Sequence, residues 1–209
     1  MQTGLSEKEH IVAPAQVFRE TYESYLQQIG EVDLAAVAEI LGLEIEEDQA
    51  RVDFFNRSYW IGSRGIHDKN AKIPDFSVCV VLCKYLLMCP HEIPDAHGLA
   101  AFKDFKDAAP LVHFFANSVQ KEVARKFEGA TGALEEACRR LGGEAYAADL
   151  AYQIKYRFQG LPRVPVYLLF NDAEEGFAAQ CTLLFEKSVA SFLDMESVAM
   201  LGGALVRRL

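Results

Sequence analysis

The chain has 209 residues, 51% hydrophobic and 24% charged, enough for one sizeable domain and unlike a disordered segment in composition. Its 30 acidic and 21 basic side chains give a net charge of −9. That balance speaks against a nucleic-acid binder, which needs a basic face toward phosphate.

In chain order, MQTGLSEKEHIVAPAQ lacks the apolar core of a secretory signal. PAQVFRETYESYLQQIG sets Val17, Tyr22, Tyr25, Leu26 and Ile29 near one face at helical spacing, and Gly30 stops the helix. EVDLAAVAEILGLEIEEDQARVDFFNRSYWIG reads as a short helix capped by Asp33 and ended by Gly42, then two strands that turn at Glu47, Asp48 and Gln49. Glu44, Glu46, Glu47 and Asp48 fall on the wet face and tip of that hairpin, and Trp60 is expected to anchor the core beside it.

SRGIHDKNAKIPD reads as a loop. In PDFSVCVVLCKYLLMCPHEIP, Asp75 is the expected N-cap of a helix with apolar residues on every face, which predicts burial all round. Its apolar run, Val78 to Met88, is broken by Lys84 and falls short of the ~20 residues that cross a bilayer. An irregular segment follows, pinned by Phe102 and Phe105 of a repeated Phe-Lys-Asp. Two helices come next, LVHFFANSVQKEVARKF ending at Gly129 and GALEEACRRLGG ending in paired glycines.

LAYQIKYRF alternates as a half-buried strand does, and VPVYLLF and AQCTLLF are apolar strands around the loop NDAEEG. VASFLDMESVAMLGGALVRRL is a closing helix with a break near Leu193 and Asp194. The expectation is a single α+β domain over residues 1–209, with residues 1–15 a loose extension. An antiparallel sheet of about five strands is covered by helices, one of them central and buried. Cytoplasmic location is expected, with the five cysteines as thiols and neither nucleic acid nor membrane as partner.

Three features carry candidate chemistry. Cys79 and Cys83 share one helix face, with Cys89, Pro90 and His91 just beyond the helix end. Zinc sites usually pair Cys-x2-4-Cys elements in loops, so Cys79 and Cys83 read as small apolar fillers. Cys89 is the expected reactive thiol, and Cys89 with His91 is the candidate metal pair. Asp172, Glu174 and Glu175 gather between two apolar strands, where carboxylates bind hard cations or serve as acid and base. The calcium-loop pattern is absent, since the twelfth position from Asp172 is Leu183. The histidines, at 10, 67, 91, 97 and 113, are scattered, and the basic residues Arg139, Arg140, Arg157 and Arg163 form a patch only if folding gathers them.

FQGLPRVPVYLLFNDAEEGFAAQCTLLFEKSVASFLDMESVAMLGG resembles the C-terminal signature of the bacterial and archaeal family called domain of unknown function 3786. The matching elements are Pro162-Arg163-Val164-Pro165-Val166, Asp172-Ala173-Glu174-Glu175-Gly176-Phe177, Leu184-Phe185, Phe192-Leu193 and Glu196. CKYLL and GLAAFKDFKDAAP are similar to the family's middle. Gly176 interrupts its Glu-Glu-Phe run, and the cysteine-rich iron–sulfur module of some relatives is lacking here. The resemblance implies no established activity and no particular cofactor; its cluster-bearing relatives imply an anaerobic redox or one-carbon setting. The resulting expectation is a module that binds a small ligand or protein partner through Asp172, Glu174 and Glu175. The alternative is an enzyme or metal protein that adds Cys89 or His91 to those carboxylates.

Overall fold

In the computed structural model, residues 14–209 are described. The loose extension expected over 1–15 falls, through residue 13, outside the described residues, as does His10.

Helix α1 (Pro14–Ile29) stops where Gly30 donates its amide to the carbonyls of Leu26 and Gln27. Helix α2 (Leu34–Leu41) has the expected ends: Asp33 Oδ1 accepts from the amides of Ala35 at 3.1 Å and Ala36 at 3.2 Å, and Gly42 takes the left-handed φ of 71°. Strands β1 (Glu44–Glu46), β2 (Gln49–Asp53), β3 (Ser58–Gly62) and β4 (Gly65–Asp68) follow as a four-stranded antiparallel sheet in chain order.

The sequence predicts two strands in this region and a loop after them; the structure has four strands. The second expected strand is divided because β2 and β3 reverse over Phe55 and Asn56, with φ of 46° and 61°, and β4 follows a further reversal between Gly62 and Gly65. Both central residues of a type I′ turn need positive φ, normally announced by Asn-Gly, so Phe-Asn conceals it. Trp60 is also placed differently. Its neighbours Tyr59 and Ile61 are buried, so alternation turns Trp60 to the outer face. There its indole donates to Glu46 Oε2 at 2.7 Å and stacks on His67 at 5.9 Å between ring centroids.

Helix α3 (Phe76–Leu87) buries Val78 through Cys83 together with Tyr85 and Leu86, as its all-round apolar surface predicts. After β5 (Leu99–Ala101), Phe102 is buried and stacks on Phe115 at 4.1 Å. The next expected helix comprises α4 (Val112–Phe115), a π-helical turn over Ala116–Gln120, and α5 (Lys121–Phe127). Helix α6 (Thr131–Arg140) precedes β6 (Glu144–Ala145), β7 (Ile154–Leu161), β8 (Val164–Asn171) and β9 (Gln180–Glu186). Helix α7 (Met195–Arg208) restarts the chain after the predicted break, with Asp194 Oδ1 accepting from the Ser197 amide at 2.8 Å. It packs against α3, as α1 does. A Cβ at Gly202 of α7 would stand 2.7 Å from the Phe115 ring, so this contact requires glycine.

The second sheet has five antiparallel strands in the order β5-β9-β8-β7-β6. Its middle strand β8 is buried on both faces from Val164 to Phe170, because apolar residues fill both of its parities. Pro165 is tolerated there because the β7 register shifts opposite it, between Gln159 and Leu161. Two polar joints tie the parts together. The Phe55 amide donates to the Gly160 carbonyl at 3.2 Å, linking the two sheets. The Tyr85 hydroxyl donates to the Leu41 carbonyl at 3.0 Å and accepts from the Arg163 amide at 3.0 Å, linking α3 to α2 and to the β7–β8 turn.

Candidate functional site

The acidic loop between β8 and β9 is a braced turn. The Glu174 and Phe177 amides and carbonyls pair at 3.0 and 2.8 Å, and Gly176 supplies the positive φ of 85° between them. Asp172 Oδ1 accepts from the amide of Ala173 at 2.8 Å and from that of Gly129 at 2.8 Å, which satisfies a donor just beyond α5. Gln153 reaches the loop from the start of β7: its Oε1 accepts from the Asp172 amide at 2.8 Å and its Nε2 donates to Glu174 Oε1 at 3.0 Å. Glu175 is exposed and makes no hydrogen bond among the described residues. A hollow of about 530 Å³ lies beside the loop, with Asp172, Glu174, Gln153, Tyr152 and Leu150 in its wall and Phe177 73% exposed. The carboxylates the sequence singles out thus stand together, but two of the three are engaged in holding the turn.

Cys89 and His91 lie just past α3. The Cys89 thiol is half-buried, 3.4 Å from the Pro90 carbonyl and 4.0 Å from that of Val37, and burial pushes its pKa up. His91 is exposed. Among the described residues, no hydrogen bond, ion pair or cavity wall joins this pair to the acidic loop, and no group of three His, Cys, Asp or Glu side chains is arranged to hold a metal. Cys79 and Cys83 are 2% and 0% exposed, and burial pushes both thiols up to about 12.

A larger cleft, of about 630 Å³, opens where the β2–β3 turn, the segment from β4 into α3, and the ends of α6 and α7 meet. Sequence reasoning did not identify it. Its apolar walls include Phe55, Ile73, Val78, Leu141 and Ala204, and its basic lining is Arg57, Lys72, Arg140, Arg207 and Arg208. Asp68 and Asp75 are its two carboxylates. Asp68 Oδ1 accepts from the amides of Asn70 at 2.8 Å and Lys72 at 2.9 Å; the Lys72 amide foremost holds this carboxyl below the usual range.

Arg208 is fixed at one side of the cleft. Its guanidinium donates to the Phe54 carbonyl at 2.8 Å and the Tyr59 hydroxyl at 3.1 Å, and lies over the Phe54 ring at 4.7 Å. Burial lowers its pKa, and the nearby Arg57 and Arg207 charges push the same way. Arg207 donates to Ser77 Oγ at 2.8 Å, in the first turn of α3.

Of the basic residues marked in the sequence, only Arg140 reaches this cleft. Arg139 donates to the Tyr156 hydroxyl, Arg157 to Gln159, and Arg163 to the Ile40 carbonyl. Arg140, Arg207 and Arg208 come from the last turns of α6 and α7, where basic residues are expected in any case because they complement the helix dipole. That ordinary role hid them, and Arg57 and Lys72 are single charges in turns.

The residues that carry the family resemblance have structural work in this geometry. Pro162 and Arg163 form the two-residue β7–β8 turn held by Tyr85, and the acidic motif builds the braced β8–β9 turn. No curated protein and no solved structure matches the chain. The model of one family matches residues 33–208, from the cap of α2 to the end of α7. The chain belongs to the family described as domain of unknown function DUF3786.

Proposed function

We propose that this protein is a small-ligand-binding module whose site is the cleft between the β2–β3 turn and the ends of α6 and α7. The observation that carries the reading is backbone strain beside a cavity of ligand size. Phe55, a bulky residue, is held at φ 46° with its ring buried in the wall of the 630 Å³ cleft. Such conformations cost roughly 1–3 kcal/mol and cluster where geometry serves binding. The surroundings over-determine the turn: Phe55 donates to Gly160, its ring meets those of Phe54 and Phe158 edge-on, and Arg208 lies over both Phe54 and Phe55.

This reading moves the ligand away from Asp172, Glu174 and Glu175, two of which already brace their own turn. A fragment screen read by amide chemical shifts tests it. Bound fragments should perturb Asn56, Arg57, Asp75 and Arg140. Hits that map to the hollow beside Asp172 and Phe177 would instead restore the acidic loop as the site.

A further inference from the structure

Resting on the cleft as the ligand site, we propose that its ligand is a compact, multiply charged oxyanion, either a phosphate ester or a polycarboxylate. The cleft gathers five basic side chains and two acidic ones in a chain whose net charge is −9. Among the described residues, none of the five basic groups makes an ion pair with a carboxylate. Arg207 and Arg208 are held by neutral partners, the Ser77 hydroxyl, the Phe54 carbonyl and the Tyr59 hydroxyl, which leave their charge uncompensated. The side chains of Arg57, Lys72 and Arg140 are exposed at the cleft and make no hydrogen bond among the described residues.

Like charges gathered this closely repel one another, and an anion between them removes that cost. Arginine adds planar, two-pronged donors suited to carboxylate and phosphate oxygens.

A second feature points the same way. The N-terminus of α3, a 12-residue helix, opens on the cleft at Pro74, Asp75 and Val78. Asp75 occupies the N-cap position without bonding the helix through its side chain, so the first-turn amides lack the side-chain cap that Asp33 gives α2. Amides at a helix N-terminus favour negative charge, and Arg207 is tethered to that same turn through Ser77. The Asp68 and Asp75 carboxylates limit how much negative charge the cleft accepts, and its volume of about 630 Å³ admits a small molecule.

The test is titration of isotope-labelled protein with pyrophosphate, citrate and glucose, the last as an uncharged control. Pyrophosphate or citrate should shift the amides of Arg57, Phe76, Ser77 and Arg140, and added salt should weaken the binding. Arg57→Gln and Arg140→Gln, both at exposed positions, should each reduce affinity about tenfold, the scale of one lost charge-assisted contact. Arg125→Gln, whose partner is Glu122 on the α5 surface, should change nothing. Binding of pyrophosphate alone assigns a phosphate ester, and binding of citrate alone a polycarboxylate. Anion-induced shifts scattered over other lysines, or an affinity untouched by both cleft variants, would overturn the proposal. If glucose or neutral fragments shift the cleft while both anions leave it unchanged, the anion is wrong and the cleft stands. If no probe or fragment shifts it, both readings fall.

Discussion

The cysteines show how a side chain's surroundings decide its chemistry. Cys79 and Cys83 have the one-face spacing that two metal ligands need, yet both are in the core. Burial also raises the Cys138 thiol, to about 12, and it raises Cys181 and Cys89. Thiolate is the reactive form, so near neutral pH the native protein should release less than one equivalent of thiol promptly to a disulfide reagent, against five after denaturation. Two fast-reacting thiols would mean that α3 opens readily. The burial of Cys79 and Cys83 was legible in the sequence, because apolar residues surround them on every face of α3. Cys89, expected to be the most reactive of the five thiols because it leaves the helix, is the one that is half-buried where the other four are buried, although its sulfur still packs against the core.

Turns and caps set the energetics of individual elements. Asp172 links the β8–β9 turn to the amide of Gly129, 43 residues away, whereas Glu175 stands in solvent. Urea denaturation should therefore separate them: Asp172→Ala should cost about 1 kcal/mol, and Glu175→Ala less than about 0.5 kcal/mol. Equal costs would show that the Gly129 link contributes nothing.

Asp194, the cap of α7, pairs with Lys84 of α3 at 3.1 Å. Burial opposes its charge, but the Ser197 amide and the Lys84 ammonium outweigh that and hold its pKa down. Burial likewise opposes the charge on Lys84, and Asp194 and Tyr25 raise its pKa overall. The Asp194 contribution is present above the unfolded carboxylate pKa and lost as pH falls through the lower folded value. That of Lys84 is present below the unfolded ammonium pKa and lost as pH rises through the higher folded value. Asp194→Asn should flatten the acid limb of the stability curve, measured as melting temperature against pH; an unchanged limb would remove Asp194 from the account. The Asp33 cap was readable as Asp before an apolar helical run, whereas at Asp194 the sequence showed only a break, and the same signal at Asp75 yields no side-chain cap. The Phe55–Asn56 turn was not readable, because long-range packing holds it where local propensity offers no signal.

At the scale of the whole molecule, charge is distributed unevenly. The outer face of the four-stranded sheet carries Glu44, Glu46 and Asp53 around Arg51, while the basic cleft is confined to one junction of elements. A polyanion spans far more surface than that cleft and would meet the surrounding acidic groups. Oligonucleotides, single- or double-stranded, should show no micromolar binding at physiological salt; salt-sensitive binding by fluorescence anisotropy would refute this. Composition made the net charge plain, and periodicity located most helices and the long strands β7, β8 and β9. The cleft was hidden because its charges come from positions as distant as Arg57 and Arg208, and only the packing of α7 brings them together.

The hydrogen bond from Phe55 to Gly160 gives the two sheets a shared fate. Its donor lies in a hairpin tip, ordinarily among the first places where protein backbone exchanges with solvent. Here the tip residue is 1% exposed and bonded into the other sheet, so releasing that proton requires the sheets to part. In deuterium exchange the Phe55 amide should persist as long as those of β8, and one denaturant dependence should describe both. Early exchange at Phe55 with β8 still protected would reveal two separately unfolding units within this single chain.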